Sequence, residues 1–110
     1  MTDTNLPPAP ESVTIAIDFD RTWTVDPFAW RTWYDFMTSR GHRILLATGR
    51  QKWSDDMARC YLPDDMEIVY CGREPKAEVM AQSLHKIDIW IDDAPGAIGF
   101  PSIFLREGEV

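Results

Sequence analysis

The sequence predicts an α/β domain: a parallel β-sheet with helices on both faces. Three observations point there. Short apolar runs alternate with amphipathic stretches from Ser12 onward. The runs are continuous rather than alternately polar and apolar, the pattern of strands buried on both faces. Strands separated by helices pair in parallel through right-handed crossovers, and each crossover helix buries its apolar side against the sheet.

Taken in order, residues 1–12 carry three prolines and no apolar periodicity and read as a flexible N-terminal lead-in to a domain over residues 13–110. Val13 to Asp18 is the first strand candidate. A helix follows, with Asp26 as cap, Pro27 at its first position, Trp30, Trp33, Tyr34 and Met37 on one face, and Gly41 as the stop. Arg43 to Thr48 is the second strand, Ser54 to about Tyr61 a second helix, and Met66 to Cys71 the third strand. A third helix begins near Pro75 and carries Val79, Met80, Ser83 and Leu84. Ile87 to Ile91 and Ser102 to Leu105 complete a five-stranded sheet.

The 110 residues are enough for one domain, and 45% of them are hydrophobic, so no disulfide framework or structural metal is needed for a core. No apolar run approaches the roughly 20 residues of a membrane span, and the N-terminus has no leader-like pattern. Cys60 and Cys71 match neither a zinc spacing nor a disulfide scaffold. A soluble, cytoplasmic protein without membrane contact is therefore expected. The net charge of −7 argues against nonspecific duplex binding, which needs surplus Lys and Arg, but not against a single phosphate site.

In parallel sheets ligands bind at the carboxyl ends of the strands. Strand one ends IAIDFDRTWT, delivering Asp18, Asp20 and Thr22. Strand two ends ILLATGR, delivering Thr48, Gly49 and Arg50, and strand four ends IWIDD, delivering Asp92 and Asp93. Acidic side chains after an apolar strand are costly to bury without a cation or hydrogen bonds. Carboxylates and carbonyl oxygens with open water positions suit Mg²⁺. Lys76, in REPKAE, starts the third helix and brings a cation to the same edge. Strand order 5-4-1-2-3 is expected because it brings Asp18, Thr48 and Asp93 to one crevice.

The four segments DFDRT, LLATGR, the Lys76 of REPKAE and IWIDD together resemble the four motifs of the haloacid dehalogenase superfamily of phosphotransferases, over about Val13 to Ile98. The resemblance implies a Rossmann-like three-layer α/β/α fold and a Mg²⁺-dependent phosphomonoester hydrolase. It implies Asp18 as the nucleophile that becomes an aspartyl-phosphate and Asp20 as general acid and base. Thr48 and Lys76 would hold the phosphoryl oxygens, with the backbone amides of Phe19 and Gly49 as further donors. The metal would be held by the Asp18 carboxylate, the Asp20 carbonyl and one acid of Asp92 and Asp93; Asp93 is the expected direct ligand, with Asp92 orienting Lys76 or a metal-bound water.

Two departures bear on substrate. Arg21 stands where the family often has Gly, placing a cation at the mouth of the site. The TGR ending resembles small 5′-nucleotidases and the phosphatase half of phage polynucleotide kinases, which implies that Arg50 contacts the substrate phosphate; the alternative is a surface Arg paired with Asp55 and Asp56. Trp23 either flanks the mouth and stacks on a base or belongs to the core, and Trp53 either does the same or packs as a hydrophobic staple before Ser54. The segments between motifs leave no room for a cap domain, so an open site is expected. Capless relatives tend to act on macromolecular ends or to form oligomers. The expected partner is a phosphorylated small molecule or a nucleic-acid end bound by Arg21, Thr22, Trp23, Gly49 and Arg50, with a homo-oligomer as another source of closure. The rival functions are a catalytically inactive binding module of the same fold, a phosphatase of sugar phosphates or phosphoproteins, and a receiver-like signalling domain. The last would need an acceptor Asp after strand three, where the chain has Cys71 and Gly72.

Overall fold

Four strands form one parallel sheet within residues 6–99, the part of the chain that the computed structural model describes. They are β1 (Thr14–Ile17), β2 (Arg43–Thr48), β3 (Glu67–Tyr70) and β4 (Ile89–Ile91), in the spatial order β3-β2-β1-β4. This order matches strands four, one, two and three of the expected arrangement, read from the other edge. The described residues hold four strands rather than five, and the expected last strand, residues 102–105, lies outside them.

Register positions the site. Ile17 pairs with Leu46 on one side and with Ile91 on the other. Asp18 and Asp92, the residues that follow β1 and β4, therefore leave the sheet at the same edge, level with Ala47, while β2 runs on to Thr48. The Asp18 amide extends the ladder by donating to the Ile91 carbonyl at 2.9 Å.

The pleat sends alternate side chains to opposite faces. Ile15, Ile17, Ile44 and Leu46 form one core with Phe19, Trp23, Tyr34 and Met57, against which Trp30, Trp33 and Met37 pack. Ala16, Leu45 and Ala47 form a second core with Met80. Helices α1 (Pro27–Ser39) and α2 (Asp55–Ala58) thus cover one face and α3 (Lys76–Gln82) the other.

The first helix follows its sequence signals. The Asp26 carboxylate accepts a hydrogen bond from the Ala29 amide at 3.2 Å, Pro27 opens the helix, and Gly41 adopts φ +93° just beyond its end. Such a cap contributes about 1 kcal/mol, and only glycine takes that φ without a steric cost.

Two helices are shorter than their periodicity suggests. For α2 the Ser54 hydroxyl makes no capping bond; it accepts instead from the Arg50 guanidinium at 2.9 Å, and a single uncapped turn propagates poorly. The third helix ends at Gln82, because Leu84 adopts φ +62° and stands 92% exposed rather than joining the apolar face. Strand β4 also starts later than expected: Asp88 spends its side chain on the Thr14 amide at 2.8 Å and its own amide on the Thr14 carbonyl. No helix among the described residues is long and apolar enough to cross a membrane.

Candidate active site

Two clusters of charged side chains occupy the carboxyl edge of the sheet. The first lies where β1 and β4 end. Lys76, only 4% exposed, donates from Nζ to Asp18 Oδ1 at 2.7 Å and to Asp92 Oδ2 at 2.6 Å. The other Asp92 oxygen accepts from the Ala94 amide at 2.9 Å, so one oxygen holds Lys76 and the other its own turn. Asp92 thus lies in contact with Lys76, one of the two groups, with a metal-bound water, that the sequence expects it to orient. The Asp93 carboxylate is more exposed, and single oxygens of Asp18, Asp92 and Asp93 lie within 4.8 Å of one another.

Lys76 reaches the cluster because the loop after β4 is tied to the start of α3. The Ala77 amide donates to the Ile98 carbonyl at 2.8 Å, and Gly99 lies so close to Pro75 that an added Cβ would fall 2.4 Å from the proline Cβ. With φ +71° as well, Gly99 is a position for glycine alone.

The electrostatics follow from burial. Desolvation raises the pKa of the Asp18 carboxyl, and hydrogen bonding to Asp93 and the Asp92 charge raise it further, against the opposing pull of Lys76. Burial also opposes the Lys76 charge, but its hydrogen bonds to Asp18 and Asp92 outweigh that and its pKa rises. Asp93 moves down, through its hydrogen bond with Asp18 and then that from Thr22. Carboxylate oxygens of three acids gathered within 4.8 Å of one another beside a single lysine form a site that one small cation could enter. This donor set fits Mg²⁺, a hard cation that takes one or two carboxylates and retains water.

Thr22 is placed differently from the expectation that it contacts substrate. It is buried, and its hydroxyl lies 3.3 Å from Asp18 Oδ2 and 3.2 Å from Asp93 Oδ1 while accepting from the Asp93 amide at 3.2 Å. With one proton it can donate to only one carboxylate at a time, and it braces the two acids rather than facing outward.

The second cluster lies between the ends of β1 and β2. Arg50 meets Asp20 with a two-point fork, Nε to Oδ2 at 3.0 Å and Nη2 to Oδ1 at 2.8 Å. Its Nη1 donates to Ser54 Oγ at 2.9 Å and to Asp56 Oδ1 at 2.8 Å, and the guanidinium lies 5.1 Å from the centre of the Phe19 ring. The hydrogen bond to Asp20 is the main influence raising the Arg50 pKa. Asp56, bonded by Ser54 and Arg50, is shifted down. The expected surface pairing of Arg50 is present for Asp56, while the fork onto Asp20 was not foreseen. The Arg50 amide donates to Thr48 Oγ1 at 3.1 Å, which fixes the fully buried Thr48 and leaves its own hydroxyl hydrogen for another acceptor.

The two open tryptophans part company. Trp23 is 0% exposed, with Nε1 donating to the Cys60 carbonyl at 2.8 Å, so it belongs to the core and offers no face to a substrate. Trp53, which the sequence leaves open between a staple and a rim residue, is 46% exposed in the loop after β2. The available signal was position: Trp53 follows a polar Gln51 and Lys52 at a strand end, whereas Trp23 falls one turn after a strand, where the chain folds back onto the sheet. Arg21 does reach the mouth. It adopts φ +64°, its side chain is 87% exposed, and Nε lies 3.7 Å from Asp93 Oδ2 beside a cleft of about 280 Å³. Gly49 is exposed at the end of β2.

Compared with protein-family models, curated proteins and solved structures, the chain matches none.

Proposed function

We propose that the protein is a phosphomonoester hydrolase of the haloacid dehalogenase type, acting through an aspartyl-phosphate on Asp18. The observation that carries this reading is the buried Lys76 held between Asp18 and Asp92 with Asp93 adjoining. Three acids and a lysine in one half-closed crevice stabilise a fold less well than apolar residues of the same size would. Two neighbouring carboxyls pushed in opposite directions, Asp18 up and Asp93 down, are the kind of pairing that acid–base and nucleophilic chemistry uses.

In the first half-reaction a carboxylate oxygen of Asp18 forms a bond to phosphorus as the bond from phosphorus to the ester oxygen breaks. Asp20 gives its proton to that leaving oxygen. In the second, water attacks the phosphorus of the acyl phosphate, Asp20 takes the water proton, and the phosphorus–oxygen bond to Asp18 breaks, restoring the carboxylate and releasing phosphate. Lys76 keeps Asp18 in one rotamer and, with Thr48, holds phosphoryl oxygens. Mg²⁺ would be held by Asp18, the Asp20 carbonyl and Asp93, and would supply the charge that lets carboxylate and phosphate approach each other. The full architecture in this reading is a three-layer α/β/α sandwich without a cap.

The substrate class follows from the rim. Arg21, Lys52 and Arg73 are exposed where β1, β2 and β3 end, although the chain as a whole is acidic. Trp53 adds an exposed aromatic surface beside them. Cations and an aromatic around an open phosphate site suit a nucleotide or a polynucleotide end. A screen of the purified protein with Mg²⁺ tests both levels, using nucleoside monophosphates, 3′-phosphorylated oligonucleotides, sugar phosphates and phosphopeptides. Higher catalytic efficiency on the first two is expected. Preference for sugar phosphates or phosphopeptides removes the nucleotide assignment, and no metal-dependent turnover of any of them removes the hydrolase.

A further inference from the structure

We infer that Arg50 is the positioning residue for Asp20, and not a ligand of the substrate phosphate. The inference rests on the hydrolase reading and deepens it. Asp20 sits on the turn after β1 with its side chain half exposed, where a free carboxylate would sample several rotamers. The Arg50 fork fixes both of its oxygens, at 3.0 and 2.8 Å. A bidentate fork sets orientation as well as position, which a single-point contact does not. The two oxygens offer about four lone-pair sites, and the fork uses two, leaving the others for the proton exchanged with the leaving group or water.

Arg50 is itself held on its far side. Ser54 and Asp56 take both hydrogens of Nη1, and the Phe19 ring lies under the guanidinium. A guanidinium gripped from two sides has little freedom to swing onto a phosphate. The geometry also gives the short α2 a purpose, since its first turn presents Ser54 and Asp56 to Arg50.

The test uses two aryl phosphates with Mg²⁺: phenyl phosphate, whose leaving group needs a proton, and p-nitrophenyl phosphate, whose leaving group departs without one. kcat/KM reports steps up to formation of the phosphorylated Asp18, so the ratio of the two values isolates the work of the acid. Arg50→Gln is expected to lower kcat/KM for phenyl phosphate by roughly ten- to a hundredfold, a part of the contribution of a general acid. For p-nitrophenyl phosphate it should change by less than about threefold, because little proton transfer is required. In an Asp20→Asn background the Arg50 substitution should add almost nothing.

Asp56→Asn, at a half-exposed side chain, should shift the same ratio in the same direction by less. It keeps the inference testable should Arg50→Gln fail to fold. A phosphate ligand would behave otherwise: both substrates would lose equally, the ratio would hold, and the losses from Asp20 and Arg50 would multiply. Any of these overturns the positioning role while the hydrolase stands. Absence of turnover by the wild-type protein on both substrates overturns the hydrolase and this inference together.

Discussion

The two charged clusters at the carboxyl edge use the same chemical parts in opposite surroundings. At the β1–β4 crevice Lys76 and its acids are withdrawn from water, with side chains of Lys76, Asp18 and Asp92 at 5%, 9% and 2% exposure. At the β1–β2 rim Arg50 and Asp20 stay wet, at 28% and 49%. Removing one partner from a buried cluster strands the others without solvent, whereas water and salt take over the role of a lost partner at a surface. The buried cluster therefore constrains stability and chemistry together, and the rim cluster constrains geometry with little effect on stability. Arg serves the rim because its planar fork orients a carboxylate, and Lys serves the crevice because a compact ammonium can bridge two carboxylates.

The largest expected effect is on turnover. Asp18→Asn should remove phosphatase activity to assay background while the far-UV spectrum is retained, because an amide is a poor nucleophile and a neutral ligand weakens metal binding. Activity within about tenfold of wild type, roughly 1.4 kcal/mol of barrier, would exclude Asp18 as nucleophile.

Next comes the contrast in stability itself. In urea melts with EDTA, Lys76→Met is expected to cost about 3 to 5 kcal/mol, and Arg50→Gln no more than about 1. High salt, with a Debye length of about 3 Å at 1 M, should erase most of the Arg50 difference and little of the Lys76 one. Equal costs, or equal salt sensitivity, would break the comparison.

Metal addition sharpens it further. A ligand of the folded state stabilises by about 2.7 kcal/mol at a hundred times its Kd, so Mg²⁺ should raise the urea midpoint of the wild-type protein. It should do so much less for Asp93→Asn, while leaving the response of Asp56→Asn unchanged. An equal response from the Asp93 variant would place the cation elsewhere.

The smallest effect concerns neither cluster and serves as a control on the scaffold. Burial, then the Asp65 charge and the hydrogen bond to Asp65 at 3.3 Å, raise the Tyr34 pKa from 10.0 to about 12. Above pH 10 the unfolded chain loses this proton before the folded one does, so stability falls with rising pH up to about pH 12. Tyr34→Phe should make the decline of the urea midpoint between pH 9 and 11 shallower, with turnover at neutral pH unaffected.

Much of this structure is written locally. The continuous apolar runs at Ile15–Ile17 and Ile44–Ala47, the Asp26-Pro27 start and Gly41 stop of α1, and acids directly after strands one and four are each decided by neighbours in sequence. Pattern and capping act over a few residues, and they located β1 to β4, the first helix and the Asp18, Lys76, Asp92 and Asp93 set. Asp92 as the partner of Lys76 was also legible, given two adjacent acids and one lysine at a helix start.

Other features depend on contacts between distant segments, which no local pattern carries. Periodicity cannot tell that Ser54 turns to Arg50 instead of capping α2, or that Leu84 is turned out of α3. Hydrophobicity alone does not distinguish Trp23 from Trp53; the return of the chain onto the sheet buries one and leaves the other at the rim. The fork between Asp20 and Arg50 joins residues 30 positions apart, and the brace of Thr22 on Asp93 spans 71. The amino-acid order determined which charges arrive at the strand ends, because alternation and capping are short-range. Only the packed sheet decided which of them pair and which stay in water, because strand register and desolvation are set by the whole fold.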